Sequence, residues 1–337
     1  MSATKPRTTA DDGPNLDGTK GVLLAPVRGT DTRRSLPDDL FAKRQGRFTA
    51  KFLFAIAVIV AFWAAVVMIP TWWMIVIAVP VLGMTYAHLV ELQHECLHEH
   101  AYGRRWLNRL AGFVCGIPML SSFSHYKYEH LRHHAYLGTP QNHEFFNYRF
   151  EGLGSVRGFL RACFHLGRYL DVFADIGRSL VGRTNPRVIK PTAAKKIRTE
   201  YLGFAAVLAA GIAFTVFTGS PLLLFVWVLP ALLVAEPVHF LVELPEHFGL
   251  NTQSDPDVLT NTRTVHGGRF AKWYTNGNDL HTAHHFHQGV PMAQVPKLHT
   301  IIEDRVEIVE PSYRSFYTNV ITGHIKYVDQ SETCMTR

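Results

Sequence analysis

Charged side chains vanish from the sequence in four places. Phe52 to Ile69, Trp72 to Ala87, Tyr201 to Phe217 and Leu222 to Ala235 contain no Asp, Glu, Lys, Arg or His. These runs show neither the two-residue alternation of a half-buried strand nor the single apolar stripe of a surface helix. They are apolar on every side. Eighteen residues at a helical rise of about 1.5 Å cover roughly 27 Å, close to the hydrocarbon thickness of a bilayer. Extended to where helical pattern stops, the expected spans are 52–69, 72–90, 201–217 and 222–242. Pro80 falls inside the second span, where a membrane helix tolerates a kink.

The breaks between spans are short. Pro70-Thr71 separates the first pair and Thr218-Gly219-Ser220-Pro221 the second. Each pair therefore reads as a hairpin with both outer ends on one side. Lys43, Arg44, Arg47 and Lys51 precede the first hairpin, and Arg183, Arg187, Lys190, Lys195, Lys196 and Arg198 the second, whereas the tight turns carry no Lys or Arg. The positive-inside rule then puts the termini and the long polar segments in the cytoplasm, as expected of a multi-pass protein of a cell inner membrane. Between the hairpins, Trp106 to Leu120 is apolar but interrupted by Gly112, Gly116 and Pro118, which fits a half-inserted helix. Leu153 to Val181 mixes Arg with Phe, Leu and Val, as an interfacial amphipathic helix does. Residues 1–40 read as a flexible N-terminal tail without a signal-peptide pattern, 41–310 as the membrane domain and 311–337 as a C-terminal tail. The expected fold is an all-α membrane protein, with four transmembrane helices in two hairpins beneath a cytoplasmic helical cap.

Composition refines this picture. Charged residues make up 18% of the 337, below the usual quarter, because the spans exclude them. The net charge of +7 fits contact with anionic lipid headgroups and gives no reason to expect nucleic acid. The four cysteines form no CxxC pair, so neither a zinc knuckle nor a disulfide framework is expected.

The unusual number is 19 histidines, and their placement carries the chemistry. One box, His94-Glu95-Cys96-Leu97-His98, follows the second span; the others are His130-Leu131-Arg132-His133-His134 and His281-Thr282-Ala283-His284-His285. On a helix, positions i and i+4 share a face, while adjacent residues point about 100° apart. Adjacent histidines can thus serve two neighbouring metals. Eight imidazoles exceed the needs of one tetrahedral zinc, and imidazole also suits redox metals such as iron. All three boxes fall on the side assigned to the cytoplasm, so the cap is the expected seat of the metal site.

HECLH, HLRHH and HTAHH, in this order around two membrane hairpins, resemble the membrane fatty acid desaturase and hydroxylase superfamily over about residues 50–300. Leu137-Gly138-Thr139 after the second box and Gln288-Gly289-Val290-Pro291 after the third are similar to the family as well. The segment Glu243-Leu244-Pro245-Glu246-His247-Phe248-Gly249 resembles the family's further ligand site, which makes His247 a ninth candidate, with His239 as its competitor. The resemblance implies two non-haem irons. One would be held by His94, His98, His130, His134 and His285, the other by His133, His247, His281 and His284. Glu243 stands where some relatives carry an Asn that reaches iron through water; its carboxylate is either a direct ligand or a neighbour of one. Glu95, Asp279, Glu91, Glu129 and Glu144 are candidates to receive the free N–H groups of the ligand imidazoles.

The implied reaction is O2-dependent removal of hydrogen from an unactivated carbon of an acyl or lipid-like substrate, leaving a double bond; hydroxylation is the alternative. Each turnover needs two electrons. The sequence carries no flavin or NAD fingerprint, no iron–sulfur cysteine set and no fused cytochrome, so a separate ferredoxin or cytochrome with its reductase is the expected donor. The substrate channel is expected near Trp72, Trp73, Tyr86, Tyr126 and Trp273. Two rivals stand beside this reading. His94-Glu95-Cys96-Leu97-His98 literally matches the HExxH zinc-protease signature, which leaves two boxes idle. A histidine-rich metal transporter would hold its sites near the bilayer midplane rather than beyond the spans.

Overall fold

A computed structural model describes residues 36–148, 150 and 152–328. Most of the expected N-terminal tail and the last residues of the C-terminal one lie outside this range. The described residues are mostly helical. Among them, four helices are long and apolar enough to cross a membrane. They are α1 (Gln45–Met68), α2 (Trp72–Leu97), α7 (Pro191–Thr218) and a fourth formed by two π-helical stretches, Leu224–Val228 and Pro230–Ala235, running into α8 (Glu236–His247). Around them lie α3 (Arg105–Gly116), α4 (Phe123–Tyr136), α5 (Val156–Cys163) and α6 (Gly167–Leu180). The remaining helices are α9 (Val258–Asn261), α10 (Arg269–Tyr274), α11 (His281–Phe286), α12 (Val295–Ile302) and α13 (Tyr313–Ile321).

The four long helices exceed the apolar runs because helical hydrogen bonding continues into the flanking polar residues, before the run in α1 and α7 and after it in α2 and the fourth helix. In α2 this extension is functional, since the first histidine box rides on the same helix. α1 and α7 leave most of their apolar surface outward, while α2 and the fourth helix form the interior. Leu53, Phe54, Val60, Ile212, Val216 and Phe217 are exposed, an arrangement suited to lipid and costly in water. The second and fourth spans approach closely at Gly83. A Cβ there would sit 2.4 Å from Val234 Cβ and 2.7 Å from the Pro230 carbonyl oxygen. The π-helical turns alter the usual carbonyl spacing, and side chains donate to carbonyls in this region. Tyr86 donates to the Val226 carbonyl at 2.5 Å, and Trp227 to that of Pro118 at 2.9 Å.

Trp106 to Leu120 holds all but the first residue of the twelve-residue α3, which ends at Gly116, where a Cβ would meet the Ser121 carbonyl oxygen at 1.9 Å. Two other segments differ from their sequence reading. Leu153 to Val181 is two helices rather than one, because Phe164 leaves the helical region (φ −98°, ψ 65°) and α6 begins afresh at Gly167. The segment read as a C-terminal tail contains α13, whose Phe316 is fully buried beneath the Arg263 guanidinium. It follows β2 (Val309–Glu310), which pairs in parallel with β1 (Thr264–Val265), the only sheet among the described residues.

One buried carboxylate positions the helix of the second box. Glu200 of α7 accepts from the Ser124 backbone N–H at 2.7 Å, the Ser122 and Ser124 hydroxyls at 2.9 and 2.6 Å, and Arg109 at 2.9 Å. A carboxylate at a helix N-terminus satisfies orphan donors and meets the positive end of the dipole. Glu200→Ala is expected to cost about 3 kcal/mol, since buried donors lose a charged acceptor. Thermal unfolding in detergent reads this directly: an unchanged midpoint would show that Glu200 does not hold α4 in place.

Candidate metal centre

The end of α2 presents His94 and His98 one turn apart. α4 presents His130, His133 and His134, the end of α8 presents His247, and α11 presents His281, His284 and His285. These helices converge so that the nine imidazoles fall into two groups. His94, His98, His130, His134 and His284 form one, and His133, His247, His281 and His285 the other. Within each group the ligand atoms lie within 4.8 Å of one another.

The contacts inside the larger group identify its nature. Nε2 of His130 lies 2.9 Å from Nε2 of His94, 3.0 Å from that of His98 and 3.0 Å from that of His134. Nε2 of His134 is also 3.0 Å from that of His284. A ring nitrogen offers one in-plane hydrogen or lone pair, so it cannot hydrogen-bond three imidazoles at once. Nitrogens held about 2.1 Å from a common cation are about 3.0 Å apart at right angles and about 3.4 Å apart at tetrahedral angles. The observed separations lie nearer the right-angle value. In the smaller group Nε2 of His281 and His247 are 3.0 Å apart, and those of His133 and His285 3.3 Å.

The sorting of histidines follows helical geometry. His130 and His134, at i and i+4, share one group, and His133 belongs to the other. In α11 the same rule pairs His281 with His285 in the smaller group and sends His284 to the larger one. The family resemblance implies the opposite placement of His284 and His285. Residues four apart are rotated by only about 40°, against about 60° for three apart, so His285 stays beside His281.

Partners at Nδ1 fix ring orientation. His133 Nδ1 lies 2.6 Å from Glu144 Oε1 and 2.8 Å from Asn142 Oδ1; His247 Nδ1 lies 2.9 Å from the Asn261 carbonyl, and His281 Nδ1 3.1 Å from Asn278 Oδ1. A proton on Nδ1 leaves the Nε2 lone pair free for a metal. Burial holds the imidazoles of His98, His130, His134, His281, His284 and His285 well below the ordinary histidine range, so they stay neutral. A neutral, converging, oriented donor set of this kind fits two metal ions with imidazole ligands.

The other candidates lie elsewhere. Glu243 faces His239 at 3.3 Å, outside both groups, and His239 in turn bonds Tyr148 at 2.8 Å. Glu95 accepts from Asn276 at 2.6 Å, and that Asn also receives Lys51. Asp279 takes the Thr275 hydroxyl at 3.4 Å. Of the aromatics expected along a channel, Tyr126 lies against His94 and His130, whereas Trp273 stacks on His88 and Tyr86 is bonded within the spans. Asn142, Asn261 and Asn278 were missed by the sequence reading, as was Glu246, whose Oε2 is 3.4 Å from His281 Nε2. Asn278, three residues before His281, was within reach of a spacing argument; the others carry no local signal.

The sequence profile described as fatty acid desaturase matches residues 70–317, well over half of the chain. No curated protein matches the chain significantly. The match takes in the interior spans, α4, α8 and α11, so all nine converging histidines fall within it, and the chain belongs to the fatty acid desaturase family.

Proposed function

We propose that the protein is an O2-dependent non-haem di-iron desaturase that introduces a double bond into an acyl chain or lipid-like substrate. The observation that carries this reading is the convergence of His130 Nε2 on three other imidazole nitrogens, repeated on a smaller scale around His281. Two irons bound by these groups would supply the O2 activation that C–H cleavage requires. The chain's own contribution is positional. Glu144, Asn142, Asn261 and Asn278 hold Nδ1 protons, and thereby aim Nε2 inward. Tyr126, stacked on Phe145, closes one side of the larger group with apolar surface that keeps water out. Glu95, bonded to Asn276, is engaged in packing α2 against the segment before α11 rather than poised as a protease base.

The paired spans are read as two hairpins with termini and metal centre cytoplasmic, on the strength of the flanking Lys and Arg residues. Electrons are assigned to a separate ferredoxin or cytochrome docking on the basic cytoplasmic face. Elemental analysis of the purified protein, followed by product mass spectrometry on supplied acyl substrates, tests the proposal. Two irons per chain and a product lighter by two hydrogens support it. A product heavier by one oxygen makes the protein a hydroxylase, and a single zinc overturns the di-iron reading.

Stability should depend on pH. The buried imidazoles have folded-state values below their unfolded value of 6.5, so the unfolded chain takes up more protons than the folded one as pH falls. Stability conferred by the neutral imidazoles is therefore full above pH 6.5 and is lost as pH falls below it. The thermal midpoint of the metal-free protein is expected to fall by at least about 4 °C between pH 6.5 and 5.5. Unfolding in detergent across that range measures it; a flat profile would argue that the fold does not hold these imidazoles neutral.

A further inference from the structure

Away from the histidine groups, a cavity of about 910 Å3 lies between α4, α5, α6 and the segment before α7. Its wall includes Glu129, Arg168, Asp175 and Tyr201, each more than nine-tenths buried. Two of them present unsatisfied polar atoms. Oε1 of Glu129 accepts no hydrogen bond, with His125 Nε2 at 3.9 Å and His143 Nδ1 3.7 Å from its other oxygen, and Nε and Nη1 of Arg168 donate none, although Nη2 pairs with Glu236 and donates to the Met119 carbonyl at 2.9 Å. Arg161 and Arg187 also line the cavity. A buried acceptor and buried donors without hydrogen bonds, on residues of one wall, are costly as they stand, and together they match a ligand bearing both an oxyanion and an N–H group.

Leu166 lines this cavity and also a neighbouring groove of about 510 Å3. The groove is walled by Tyr169, Phe173, Leu208, Ile212 and Trp227, from α6, α7 and the fourth span. α6 divides the two spaces. Arg168, Asp171 and Asp175 belong to the cavity side, and Tyr169 and Phe173 to the groove side. The groove runs along two membrane spans, where an alkyl chain is its natural filling. A polar chamber and an apolar groove that meet at one residue have the division of an amphiphile.

We propose that cavity and groove form a single site for a bilayer amphiphile with a phosphate-and-amine head group. One alkyl chain lies in the groove, the phosphate faces the guanidiniums of Arg161 and Arg168, and the ammonium donates to Glu129. This site is independent of the metals and of the reaction proposed above. Binding of labelled lysophosphatidylethanolamine to the purified full chain in a maltoside detergent tests it, beside lysophosphatidylcholine, which lacks the N–H donor, and phosphoethanolamine, which lacks the chain. Saturable binding is expected for the first, at least about fivefold weaker binding for the second and at least about 100-fold weaker for the third. Arg161→Gln should weaken lysophosphatidylethanolamine about fivefold. Ile212→Trp, at an outward groove position that leaves the core intact, should weaken both lysolipids. Equal binding of the two lysolipids, indifferent to Arg161→Gln, would reduce the groove to ordinary lipid contact and overturn the proposal. Phosphoethanolamine binding as tightly as the lysolipid would overturn it in favour of a soluble polar ligand.

Discussion

Alanine at position 130 is expected to abolish turnover, by at least about a thousandfold, and to leave the purified protein with about one metal ion in place of two. Among the described residues, His130 makes more Nε2 contacts within its group than any other histidine, standing within 3.0 Å of the ring nitrogens of His94, His98 and His134. Its removal takes away one of five donors, the one whose nitrogen borders three of the other four. The loss should be chemical rather than structural. The imidazole is neutral and sits at the junction of helices, and the Glu200 clamp secures α4 from its other end. Thermal unfolding of the metal-free variant should therefore match that of the metal-free parent within a few degrees, while elemental analysis and activity both fall. If His130→Ala kept two metals and full turnover, the convergence would be imidazole packing, and the di-iron proposal would lose its main support.

Much of this architecture was legible in the sequence for a plain reason. Long uncharged runs have few physical solutions, and each of the four spans falls within ten residues of its helix at both ends. The histidine boxes were legible because i and i+4 share a helical face, whatever surrounds the helix. What escaped depends on contacts between distant parts of the chain. Glu200 meets Ser124 across 76 positions, and His247 finds the Asn261 carbonyl through a loop whose path no local pattern announces. The π-helical character of the fourth span is equally silent, since the run from Leu222 to Ala235 is uniformly apolar. Glu243 drew attention by aligning with a family position, yet it turns to His239. Glu246, three residues further along the helix, is the carboxylate that reaches His281.

The placement of His284 and His285 carries the second large effect. Without His285, the smaller group keeps His133, His247 and His281, with Glu246 as the nearest substitute donor; without His284, the larger group keeps four imidazoles. His285→Ala should therefore lose close to one metal per chain and at least about 100-fold in activity. His284→Ala should retain nearly two metals and lose about tenfold. Double variants separate the two assignments. Residues serving one centre act as a unit and combine non-additively, whereas residues of different centres add. His285→Ala combined with His247→Ala should match His247→Ala alone in both metal and activity. His284→Ala combined with His247→Ala should lose about a further tenfold in activity, because each substitution strikes a different centre. The opposite pattern, with His284 coupled to His247 and His285 coupled to His94, would restore the assignment implied by family resemblance. It would also show that α11 turns about its axis when the metals bind.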